Sequence, residues 1–199
     1  NLAYIDRAFR ASLGLARRDK SAMDGFDVTA DGFYRSFFAA VVVLPFYALY
    51  LLADRKMGPI IAAYLKVEAR EVALLPTAAI ESLVYLQNWI AFPLVLGLFA
   101  RQLRIAHRYV PFIVAYNWSQ LIVVLTIVPA ILLGLSGTAT PATWLALNFA
   151  STAFTIYLHC YIAATALQMN MLFAAGIVVF DIALTLSLGQ IVRLLYQFT

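Results

Sequence analysis

Residues 110–135 read VPFIVAYNWSQLIVVLTIVPAILLGL, a run of 26 positions with no charged side chain. As an α-helix, at 1.5 Å per residue, the run is roughly 39 Å long, more than the ~30 Å hydrocarbon core of a bilayer. Hydrocarbon offers no water to backbone N–H and C=O groups, so a run of this kind must close its own hydrogen bonds as a helix. Similar runs flank it on both sides, from Phe37 to Leu195, broken by only a few short polar interruptions. Composition agrees: 64% of residues are hydrophobic and 12% charged, with a mean hydropathy of +0.87. A soluble chain of 199 residues cannot hide so much apolar surface. The sequence therefore predicts an all-α, polytopic membrane helix bundle.

Working outward from this run gives five spans. The first covers about 33–52 with Pro45 inside it, and the second about 72–100 with Pro76 and Pro93. The third is the quoted run, with Pro129. The fourth covers about 142–167 and the fifth about 171–198. The charged stretch 54–71 reads as a loop with a short interfacial helix. The links at 101–108, 136–141 and 168–170 are short. Before the spans, residues 2–18 carry Leu2, Ile5, Phe9, Leu13 and Ala16 at helical spacing, with Arg7, Arg10, Arg17 and Arg18 largely opposite. This amphipathic helix suits either an anionic membrane surface or the protein's own end face. Thr29 is placed to N-cap the next helix. The chain thus divides into a cytoplasmic amphipathic helix and acidic linker (1–32) and a five-helix transmembrane domain (33–199).

Charge supplies the orientation. Lys and Arg number nine in the N-terminal segment and the 101–108 link (Arg7, Arg10, Arg17, Arg18, Lys20, Arg35, Arg101, Arg104, Arg108). The other side holds five (Arg55, Lys56, Lys66, Arg70, Arg193). The inside-positive rule then puts the N-terminus in the cytoplasm, in what we expect to be a bacterial inner membrane. The net charge of +4 is distributed for membrane orientation and not for nucleic acid. The first long apolar run starts near residue 36, too late for a cleavable signal peptide. Because the first residue is not Met, we expect a few residues ahead of it.

Polar residues inside spans are costly and need partners or a role. Span five places Asp181, Thr185, Gly189 and Arg193 on one face, and span four places Asn148, Thr152, Thr155 and His159 on one face. The tight turn at 168–170 makes these spans antiparallel. His159 and Asp181 each sit roughly 15 Å from it, which predicts their contact. Span three adds Asn117 and Gln120, with Trp118 beside them. Span two adds Asn88, with Glu81 ~10 Å further out. The candidate site is a polar layer of Asn88, Asn117, His159, Asp181 and Glu81. It could carry protons or ions, but hydrogen bonding that fixes helix register is the favoured reading. Arg17, Arg18, Arg101, Arg104 and Arg108 could hold anionic lipid head groups, although inside-positive anchoring alone would place them similarly. Tyr47, Tyr50, Tyr109, Trp89 and Trp144 read as interfacial anchors.

No catalytic motif is visible: no Walker loop, dinucleotide fingerprint, zinc-protease helix or serine elbow. The single Cys160 excludes an intrachain disulfide and a Cys-rich metal site. His107 and His159 fall at different depths, which argues against a shared haem. No cofactor and no enzymatic activity are expected.

Two phrases, Asp31-Gly32-Phe33-Tyr34-Arg35-Ser36-Phe37 before span one and Tyr116-Asn117-Trp118-Ser119 in span three, look like those of small bacterial membrane proteins. Together with a basic N-terminal region and five clustered spans, they give a layout that resembles the Yip1-like family. Eukaryotic members are implicated in membrane traffic through small GTPases. The resemblance implies no catalytic residue. The reading is a non-enzymatic accessory or assembly subunit of a larger membrane complex, or a membrane-organising protein, with the bilayer, anionic lipids and other membrane subunits as partners. The alternative is a small transporter or channel using the Asn/His/Asp layer.

Overall fold

The computed structural model describes residues 2–68 and 74–195. Arg70, the expected start of the second span at 72–73, the expected end of the fifth at 196–198 and the side chain of Arg193 lie outside the described residues. Among these, the chain forms seven α-helices: α1 (Leu2–Ala16), α2 (Ala30–Ser36), α3 (Phe38–Leu65), α4 (Leu74–Phe99), α5 (Tyr109–Ser136), α6 (Pro141–Leu167) and α7 (Met171–Leu195). Helices α3 to α7 each contain a stretch long and apolar enough to cross a membrane. The protein is an integral membrane protein with an all-α bundle fold.

The quoted run becomes α5, and α5 is the centre of the bundle. It packs against α1, α2, α3 and α6, and α7 closes the ring between α6 and α4. Toward the α1 end, Phe92, Phe112, Ile113, Trp118, Leu158 and Ile162 belong to one apolar core. Toward the other end Ala53, Met57, Ala130 and Trp144 form a smaller one. Close approach there depends on Gly134, where a Cβ would meet the Trp144 ring and Ala53. Helix α5 ends on Gly137 at φ +77°, a left-handed position that suits glycine. The Lys56 ammonium donates to the Leu135 carbonyl at 2.8 Å, placing positive charge at the negative end of the α5 dipole.

One expectation is corrected and one open choice is resolved. The charged stretch after residue 53 is not a loop: α3 runs unbroken through Asp54-Arg55-Lys56 to Leu65. At 28 residues it is roughly 42 Å long, so its last turns project beyond a ~30 Å core. Ala53 and Met57 continue its buried stripe while Arg55 and Lys56 stay exposed, so charge and helix are compatible. The N-terminal helix settles on the protein itself: Ala8, Ala11, Ser12 and Leu15 are buried against α5 and α6.

The link into the membrane is capped as expected. The Thr29 hydroxyl accepts from the Gly32 N–H at 3.1 Å. Asp27 accepts from the Thr29 hydroxyl and N–H. Those hydrogen bonds hold the Asp27 carboxyl below the ordinary carboxylate range. A lowered folded value means that their contribution is present above the unfolded value of about 3.9 and fades as pH falls through the folded one. Gly32 lies so close to Asp27 that a Cβ would overlap its backbone.

The packing of α1 is directly testable. Leu15 is fully buried whereas Leu2 is 85% exposed. Leu15→Ala is expected to destabilise the protein by about 2–4 kcal/mol in detergent unfolding, and Leu2→Ala by less than about 0.5 kcal/mol. Equal, small effects would place α1 off the bundle.

Candidate functional site

The α6–α7 turn fixes the depth of the buried polar groups. His159 lies eight residues before the end of α6 and Asp181 ten after the start of α7, so at 1.5 Å per residue they are roughly 12 and 15 Å from the turn. Both are buried. The expected shared depth is therefore present, but no hydrogen bond or ion pair joins the two. Tyr116 of α5 stands between them. Its hydroxyl donates to Asp181 Oδ2 at 2.5 Å, and its ring lies 4.5 Å from the His159 ring, centroid to centroid. Gln120, one turn on from Tyr116, meets His159 Nε2 through its amide nitrogen at 3.3 Å. Phe92 and Phe112 pack around the Tyr116 ring.

The rest of the expected layer disperses. Asn117 is buried, but points away from His159: its Nδ2 donates to Ser36 Oγ at 2.9 Å. Consecutive residues on a helix point ~100° apart, so Tyr116 and Asn117 serve different neighbours. Ser36 ends α2, and this bond ties the α2–α3 junction to the central helix. The two phrases noted in the sequence therefore meet in space. Glu81 accepts from the Tyr47 hydroxyl at 3.0 Å and belongs to an α3–α4 contact. Asn88 is exposed, although Val84, Tyr85 and Phe92, its neighbours one turn away, are buried. Asn88 therefore lies on the bundle-facing arc of α4 where, among the described residues, no other helix covers it.

Sequence reading missed Tyr116 because a tyrosine in an apolar run looks like packing. The available signal was its position four residues before Gln120. Other aromatics expected as interfacial anchors are also internal ties. Tyr50 donates to Asn148 Oδ1 at 2.9 Å, and Tyr47 donates to Glu81 and packs on Tyr85, a residue outside that set whose hydroxyl donates to the Ala40 carbonyl at 2.6 Å. Tyr109 donates to the carbonyl of Pro93 at 2.7 Å, and Trp144 is buried. Thr126 and Ser151 join α5 to α6 at 2.6 Å.

The five arginines assigned to head groups divide. Arg108 donates to Gln168 Oε1 at 2.7 Å, tying the α4–α5 link to the α6–α7 turn. The Arg18 guanidinium lies 5.8 Å from the Tyr161 ring centroid, while its carbonyl accepts from the Tyr161 hydroxyl at 2.7 Å. Arg17, Arg101 and Arg104 are exposed. All five lie at the α1 end of the bundle. Among the described residues no three His, Cys, Asp or Glu side chains gather as a metal ion would need.

No family model, curated protein or solved structure matches the chain. The arrangement must be read from its own chemistry. Tyr116, Gln120, His159 and Asp181 form a connected polar cluster joining α5, α6 and α7, whereas Asn117 and Glu81 join other pairs of helices.

Burial separates the two asparagines experimentally. Asn117→Leu, which removes the donor to Ser36 Oγ while that hydroxyl keeps its bond to the Phe33 carbonyl, and which overfills a packed site, should destabilise by about 1–3 kcal/mol. Asn88→Leu, on an open surface, should change stability by no more than about 0.5 kcal/mol. Denaturant unfolding in one detergent reads both, and the opposite order would contradict this placement.

Proposed function

We propose that this is a non-enzymatic membrane protein acting by association, as an accessory or assembly subunit of a larger membrane complex. Its N-terminus would face the cytoplasm of a bacterial cell, as the nine-to-five distribution of basic residues favours. The Yip1-like layout is consistent with this role but supplies no mechanism.

The observation that carries the reading is Asn88. It is exposed near the middle of α4, where surrounding lipid cannot hydrogen-bond its amide. Beside it, the Gln87 side-chain nitrogen is buried with no partner among the described residues. Polar side chains at such a depth favour association with another helix, worth about 0.6 kcal/mol on average and up to ~1.7. The buried polar groups support the same view. Asp181, His159, Asn117 and Ser151 each bond to a side chain on a different helix, which is how interhelical ties are built. A conduction path would favour a continuous layer, and Asn88 and Asn117 lie apart from the His159–Asp181 cluster.

The test is co-purification in mild detergent with and without Asn88→Leu. The wild type should carry other membrane chains in fixed ratio, and the variant should weaken that association by about 3- to 15-fold while staying folded. A lone monomer, or association indifferent to residue 88, would refute the proposal. Proton or ion flux in liposomes that Asp181→Asn abolishes would instead establish the transporter reading.

A further inference from the structure

We propose that a groove between α4 and α7 holds an acyl chain of an anionic phospholipid, with Arg101 and Arg104 taking its phosphate. The groove has a volume of about 340 Å³. Its α7 wall is Phe173, Gly176, Ile177 and Phe180, spaced i, i+3, i+4 and i+7 on one helix face, a strip ~10 Å long. Leu96 and Phe99 face it from α4, and Gln102 and Leu103 close the end. Among the described residues the glutamine is the single polar lining residue.

Position and charge select the occupant. The groove begins beside the α6–α7 turn, since Gly176 is five residues into α7, ~8 Å along its axis. That depth, next to a polar link, is where a lipid chain leaves its head group. Arg101 and Arg104 flank Gln102 and Leu103 directly in sequence, and both are exposed. Neither has an ion-pair partner among the described residues. The Arg104 backbone turns at φ +58°, reversing the chain at the groove's mouth. A phospholipid presents phosphate and chain in this same order, whereas a neutral protein helix would leave the two arginines unmatched. Arginine forks suit phosphate oxygens.

Gly176 supplies a clean perturbation. A Cβ added there meets nothing within 4 Å, so a larger side chain starts from open space on the groove wall, and the melting temperature checks that the fold accepts it. The experiment takes delipidated full-length protein in mild detergent and adds phosphatidylglycerol or phosphatidylcholine of identical chains, reading bound lipid by native mass spectrometry. The wild type should hold about one phosphatidylglycerol per chain, in at least fivefold preference to phosphatidylcholine. R101Q/R104Q should lose that preference yet still bind both lipids weakly. G176L should lose both lipids, and Arg55→Gln, at the other end of the bundle, should behave as wild type. Melting temperature without lipid checks that each variant is folded. Equal binding of the two lipids by the wild type, or full phosphatidylglycerol retention by G176L or by R101Q/R104Q, would overturn the proposal.

Discussion

Hydrocarbon cannot hydrogen-bond, and the architecture depends on how the central helix meets that constraint. Helix α5 carries Tyr116, Asn117, Gln120 and Thr126 within three turns. Each reaches a different place: Tyr116 to α7, Asn117 to the α2–α3 junction, and Gln120 and Thr126 to positions on α6 about two turns apart. Apolar packing alone would let helices slide or rotate, because lipid tails satisfy a leucine as well as another leucine does. Polar pairs at fixed depth allow one register. The cores at either end of α5 then fill around those pairs, from Trp118 and Phe112 at one end to Trp144 against Gly134 at the other.

The same constraint explains which features were legible in the sequence. Bilayer thickness imposes a helix length, so uninterrupted runs located all five membrane helices. The tight turn after α6 put His159 and Asp181 at one depth by simple counting. Helical phase was harder. It shows which residues share a stripe but not which neighbour the stripe faces, so Asn117 and Asn88 were grouped with groups they do not touch. Tyr116 escaped because its ring belongs in an apolar run while its hydroxyl does not. The charged stretch after Ala53 read as a loop because charge marks the end of a membrane span, whereas a helix continues for as long as its buried stripe finds a surface. Lys56, at the foot of α5, shows that a charge can stabilise the very end that seemed to exclude it.

Most polar groups are turned inward, and this frames the functional proposals. The bundle's inner polarity holds helices together, while Asn88 on α4 and Arg17, Arg101 and Arg104 at the α1 end remain exposed. Asn88, Arg101 and Arg104 lie on or directly after α4, whose main neighbour is α7, with further contacts from Tyr47 of α3 and from Tyr109, Phe112 and Tyr116 of α5. The exposed Asn88 near the middle of α4 and the groove toward its basic end are the two features on which the proposals of helix association and lipid binding rest.

The central claim is that Tyr116 couples α5 to α7 through Asp181. A double-mutant cycle of Tyr116→Phe and Asp181→Leu, measured by equilibrium unfolding in detergent, isolates that term. The account predicts a coupling of about 1–3 kcal/mol for this pair, with a smaller one between His159→Ala and Asp181→Leu. Negligible Tyr116–Asp181 coupling alongside a strong His159–Asp181 term would show that histidine and aspartate contact each other directly, contradicting the arrangement described here.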